Sequence, residues 1–195
     1  MKKLLLFSIA ILLASAGFSQ KIKLMSGSLS SMKGQDIIEV QFTYDDMKVG
    51  KVTEAEYVKK KKQEADAQEG NSGDRWHNLW IQDRSNRYEP KFIELFNKYS
   101  KGTGLFIDLD RTETKFVMVV NTYFTEPGFN VGVSSGYAYV SMKVSFYERS
   151  NMSSPIAVFD IIKARGAATF DMATRIAEGY ALAGKSFAKT LPKYL

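Results

Sequence analysis

The segment from Tyr137 to Tyr147 most constrains what this chain can fold into. Ala138, Val140, Met142, Val144 and Phe146 alternate there with Tyr139, Ser141, Lys143, Ser145 and Tyr147. Successive side chains of an extended backbone point to opposite faces, so the segment reads as a strand with one apolar face. Such a face needs a second layer to cover it. The end of the chain supplies one. From about Phe170 to Leu191, the residues Ala173, Ile176, Ala177, Tyr180, Ala181, Gly184, Phe187, Ala188 and Leu191 recur at helical spacing. Small residues dominate this stripe, which predicts a helix lying close against the sheet.

The remaining segments fill in the same architecture. Lys115 to Phe124 contains Phe-Val-Met-Val-Val, apolar on both faces, which predicts a central strand. Leu105 to Leu109 and Pro155 to Ala164 read as further strands. The short polar link Glu148 to Ser154 predicts an antiparallel hairpin. Ile38, Val40, Phe42 and Tyr44 alternate with Glu39, Gln41 and Thr43, a strand beside solvent, and Lys21 to Met32 is an opening strand or an irregular lead-in. Thr53 and Glu56 form a capping box that opens a helix to about Ala67; its poor apolar content predicts weak packing. Asp74 is placed to cap a second helix. Pro90 suits the first turn of a third, in which Tyr88, Phe92, Leu95, Phe96 and Tyr99 share a face and which Gly102 ends. Residues 20–195 are therefore expected to form one α+β domain, with a mostly antiparallel sheet of four or five strands and helices packed largely on one face.

Residues 1–19 read as a secretory signal peptide. Met1-Lys2-Lys3 is a positive start, and Leu4 to Ala16 is apolar except for Ser8 and Ser15. That stretch is shorter than the roughly 20 apolar residues of a membrane span. Gly17 and Ser19 place cleavage before Gln20, with a second option after Ala16. The expected product is an exported, periplasmic or secreted protein with no transmembrane span in its mature form. Cysteine is absent, which excludes both disulfides and a lipoprotein anchor. Removing Lys2 and Lys3 from the 27 basic residues leaves 25 against 21 acidic ones, a net charge of +4. The Lys59 to Lys62 run is flanked by acids and reads as a solvated helix face, with a patch for anionic lipid or glycan as the alternative. Without clustered arginines, nucleic acid is not an expected partner.

Candidate chemistry is sparse. His77 is the only histidine, and no serine sits in a nucleophile elbow. Asp108 and Asp110 point the same way from a strand end, but Arg111 and Thr112 follow at once, so turn capping is the first reading. A hydrolase built on Asp108, Asp110 or Glu126 with His77 would need all of these in one cleft. No catalytic, cofactor or metal residue is assigned. Gly128 to Gly136 lacks a Gly-Lys-Ser/Thr and lies between strands, so it reads as a hairpin loop rather than a phosphate loop. Loops of this kind often carry recognition, which singles out Phe129 as an exposed anchor with Asn130 beside it. Trp76 and Trp80 open an aromatic segment running to Tyr99 that is either core or a sugar-stacking cleft.

The segment Arg175-Ile-Ala-Glu-Gly-Tyr-Ala-Leu-Ala-Gly-Lys-Ser-Phe-Ala-Lys, following a strand hairpin, resembles the end of the envelope α+β domains found in TolB, LpoB and CsgG. The likeness covers roughly residues 90–195, and Thr53 to Arg87 has no counterpart in it. The resemblance implies a non-enzymatic role in protein contacts within the envelope and transfers no functional residue. The expected function is thus a protein-interaction module whose partner is another envelope protein. The alternative is a small-ligand or glycan binder using Trp76 to Tyr99. Oligomeric state stays open.

Overall fold

The computed structural model describes residues 20–195. The expected leader at 1–19 and its cleavage lie outside the described residues. In chain order the elements are β1 (Lys21–Gly27), β2 (Ile37–Thr43), β3 (Lys48–Val49), β4 (Val52–Thr53), α1 (Glu54–Gln68), α2 (Ser72–Asp83) and α3 (Glu89–Tyr99). There follow β5 (Phe106–Asp108), β6 (Phe116–Glu126), β7 (Phe129–Asn130), β8 (Ser135–Gly136), β9 (Tyr139–Glu148), β10 (Ala157–Arg165) and α4 (Met172–Thr190). One π-helical turn, Arg84–Tyr88, joins α2 to α3.

The class is α+β, but the sheet differs from expectation. It has eight strands, ordered β1-β10-β9-β6-β2-β5, with β3 continuing along β6 beyond the end of β2 and β4 paired to β3. It is also mixed. The pairs of β9 with β6 and β10 and of β1 with β10 are antiparallel, whereas β2 pairs parallel with both β5 and β6. The cause lies in the connection: α1, α2 and α3 intervene between β2 and its neighbours, and such a crossover returns the chain in its original direction. Alternation reveals a strand but says nothing of its partner's direction.

Ala138 and, in β9, Val140, Met142, Val144 and Phe146 are buried as their pattern predicts. Val144 is in register with Val120 and Phe159, and Phe146 with Met118 and Ala157, so three strands present one apolar face. The Thr122 and Tyr180 hydroxyls lie 2.7 Å apart, which sets α4 against that face. Phe187 of α4 meets Phe96, Phe146 and Phe159 at ring centroid distances of 6.1, 6.1 and 5.3 Å. Each buried ring contributes about 1.5–3 kcal/mol of transfer free energy. The small-residue stripe serves α3 as well as the sheet. Gly179 approaches Val140, while a Cβ on Gly184 would collide with the Phe92 carbonyl of α3.

By contrast, α1 buries none of its residues. Its capping box is present as read: the Glu56 backbone N–H donates to Thr53 Oγ1, and the Thr53 N–H donates to Glu56 Oε2. The second helix starts earlier than expected. Asn71 precedes Ser72 in the left-handed region, and Asp74 pairs with Lys62 instead of capping. Among the described residues no helix is long and apolar enough to cross a membrane.

Candidate contact surfaces

One surface lies where β6 ends. Gly128 turns the chain out of the sheet at φ +66°, and a Cβ there would run into the backbone of Gly136 to Ala138. The β7–β8 hairpin follows, with Phe129 opposite Gly136 and Asn130 opposite Ser135. Asn130 Oδ1 accepts the Gly132 N–H at 3.1 Å, and the Val131 N–H donates to the Ser134 carbonyl at 2.9 Å. The tip is therefore shaped by its own hydrogen bonds. Phe129, Val131 and Tyr137 are exposed, and Val133 is fully so. Asn130 serves the turn, and Phe129 stands exposed as the sequence predicts.

Arg175 fixes the base of this hairpin. It is only 5% exposed, donating from Nε to the Pro127 carbonyl at 2.9 Å and from Nη1 to the Thr169 and Phe170 carbonyls, both at 2.7 Å. The Ala138 N–H bonds the Ala167 carbonyl, and the Gly166 N–H bonds the Ala138 carbonyl. These bonds set the loop carrying the exposed Phe170 beside the hairpin. The role of Arg175 escaped the sequence reading; the available signal was a cation set directly against Ile176 and Ala177 of the apolar stripe.

The second surface is a groove of about 650 Å³ between α1 and α2. Ala55, Val58 and Ile81 give it an apolar floor, and Glu54, Lys59, Lys62, Asp66, His77 and Arg84 surround them. Most of these charges are engaged within the chain. Glu54 accepts the Trp80 indole N–H at 2.6 Å and pairs with Arg84, whose guanidinium lies 4.0 Å from the Tyr44 ring centroid. Asp66 accepts the Gly73 N–H, and Lys62 pairs with Asp74 at 2.5 Å. Lys59 and His77 make no hydrogen bond or ion pair among the described residues.

The aromatic segment belongs mainly to the core. Trp80 is 4% exposed and stacks on Trp76 at 5.8 Å, and Tyr88, Phe92 and Phe96 are buried. Only Trp76 and Tyr99 keep partial exposure. Trp80 therefore offers no face to a sugar. Asp108 Oδ1 accepts the Asp110 N–H at 3.0 Å, which is the turn-capping arrangement, and Asp108 also pairs with Arg111. Among the described residues no hydrogen bond or ion pair joins His77 to Asp108, Asp110 or Glu126, and no group of three or more potential ligands could hold a metal ion.

Two carboxylates, Glu39 buried and Glu89 half-buried, have opposite environments. Burial pushes Glu39 up, but hydrogen bonds from Gln41 and Arg149 and the charge of Arg149 outweigh it, so its pKa is lowered. Arg149 reaches across from the end of β9 and also donates to the Thr114 carbonyl. Glu89 is raised, because burial outweighs the Tyr44 hydroxyl bond and the Arg84 charge.

Fold and surfaces together define an α+β domain with a mixed sheet, an uncharged hairpin end and a groove between two outlying helices. No protein-family model matches the chain, and no curated protein matches it by sequence. Among solved structures, the PelC dodecamer from Paraburkholderia phytofirmans is similar at 12% identity and TM-score 0.38, covering 84% of this chain and 97% of that one. A single-substitution variant of the same dodecamer is similar at 10% identity and TM-score 0.40, covering 85% and 97%.

Proposed function

We propose that the chain is an exported, non-enzymatic protein-interaction module of the cell envelope, and that it takes its partner in the groove between α1 and α2. The observation that carries this reading is the groove's construction. An apolar floor of Ala55, Val58 and Ile81 lies inside a charged rim, the usual anatomy of a protein interface. Glu54, Asp66, Lys62 and Arg84 are already engaged, which leaves Lys59 and His77 to meet a partner. An acidic amphipathic segment of another envelope protein fits, with apolar side chains on the floor and a carboxylate at Lys59. The resemblance of residues 90–195 to envelope domains supports the same role, and Thr53 to Arg87, the part without a counterpart, carries the groove.

A photo-crosslinking amino acid in place of Ile81, expressed in the native cell, tests this. The expected result is a discrete protein adduct that Lys59→Glu weakens several-fold while the fold is retained. Absence of any protein adduct overturns the reading. Export is tested by N-terminal sequencing of the mature protein, with Gln20 as the expected first residue; an intact Met1 overturns it.

A further inference from the structure

We propose that the hairpin end is a membrane-attachment surface, with Phe129, Val131, Val133 and Phe170 entering the boundary between headgroups and acyl chains of a lipid bilayer. This surface is distinct from the groove and does not depend on it. Scattered exposed apolar residues are ordinary. Here four of them, 50, 67, 101 and 86% exposed, project from two segments that Arg175 ties together. An exposed apolar tip gains nothing from water and needs no matching pocket in lipid.

The lack of charge at this end suits an apolar medium. No acidic or basic residue occurs from Pro127 to Met142 or from Gly166 to Phe170; Arg165 and Asp171 flank the second segment, and Asp171 pairs with Arg87. Transfer of these segments into the interface therefore desolvates no ion. At the base, the Arg165 guanidinium lies 4.7 Å from the Tyr137 ring centroid. A tyrosine and an arginine so placed suit the headgroup level, where the ring stays amphipathic and the cation meets phosphates. Residues 20–195 carry 25 basic and 21 acidic side chains, a net +4 that favours anionic lipid.

The backbone is also prepared for low polarity. The tip's Val131 and Gly132 N–H groups are bonded within the hairpin, which a lipid environment demands. Arms of two residues each fall far short of the roughly 9–11 that a spanning strand needs, so the hairpin rests in the interface.

Because the chain lacks cysteine, Val133→Cys in the mature protein takes a polarity-sensitive dye at one site. The probes are vesicles of neutral phosphatidylcholine and vesicles with about one third anionic phosphatidylglycerol. The expected result is a blue-shifted emission with both, stronger on the anionic vesicles and quenched by spin-labelled acyl chains. The same dye at Met25→Cys on β1 should not respond. Val131→Asp with Phe170→Asp should weaken partitioning about tenfold, with an unchanged melting temperature. Arg165→Glu should reduce binding to anionic vesicles alone. A dye at 133 that ignores both vesicles, responds no more than the one at 25, or is shielded only by a protein overturns the proposal. Such a failure leaves the groove untouched, since that reading is judged at Ile81.

Discussion

Glu39 is buried and Glu89 half-buried, and their partners decide what each does to stability. Glu39 has a lowered pKa in the fold, so it binds fewer protons there than in the unfolded chain near the ordinary glutamate value of about 4.3. Its contribution is present above that value and is lost as pH falls through the folded-state pKa. Glu39→Gln should therefore remove part of the acid sensitivity and, by leaving Arg149 without its carboxylate, cost about 2–3 kcal/mol at neutral pH. Glu89 has the opposite sign. Its raised pKa means that stability falls as pH rises through the window between its unfolded and folded values. Glu89→Gln keeps an acceptor for Tyr44 and removes a half-buried charge, so neutral-pH stability should hold or rise. Urea denaturation of both variants at neutral and acidic pH checks the pair; equal losses at neutral pH would contradict the account. Arg175→Met should cost about 3 kcal/mol or more, because three carbonyls lose their donor, and Lys cannot reproduce the fork.

At the level of elements, α4 carries a prediction that runs against helix propensity. Glycine inside a helix ordinarily costs about 1 kcal/mol relative to alanine, so an exposed replacement would stabilise. At Gly184 the new Cβ would strike the Phe92 carbonyl, a backbone atom that cannot rotate away. Gly184→Ala should therefore destabilise by about 1–3 kcal/mol and lower the melting temperature, the cost of prying α3 from α4. An unchanged or raised melting temperature would mean that the helices are less tightly apposed. This stripe was legible in the sequence as small residues at helical spacing, and so were β9, β10 and the central position of β6. What spacing cannot encode is the identity of the surface opposite, which is why the tight contact with α3 was not foreseen. The π-helical turn at Arg84–Tyr88 fuses two helices that the sequence reads as separate, opened by Asp74 and Pro90.

Over the whole molecule, legibility divides along the same line: local patterns are written in neighbouring residues, pairings between distant ones are not. The parallel alignment of β2 with β6 joins Glu39 to Val117 in register, a relation no window of sequence contains. Phe129 and the turn that exposes it lie within one short stretch of sequence, whereas the groove required α1 and α2 to be placed side by side. The same division governs how stability is distributed. Most of α4 is buried against α3 and the sheet, so its central amides should exchange only when the whole fold opens. The N-terminal turn of α1 is held where Glu54 meets Trp80 and Arg84 and where Tyr57 packs on both tryptophans. Beyond Lys62 it has exposed ion pairs, which contribute little, and two bonds to the start of α2, Gly73 N–H to Asp66 and the Ser72 hydroxyl to the Ala65 carbonyl. Hydrogen exchange should therefore show protection falling along α1 from Tyr57 to Gln68 and staying high through α4. A partner seated in the groove should raise protection in the second half of α1 and leave α4 unchanged, because α4 is already at the global limit.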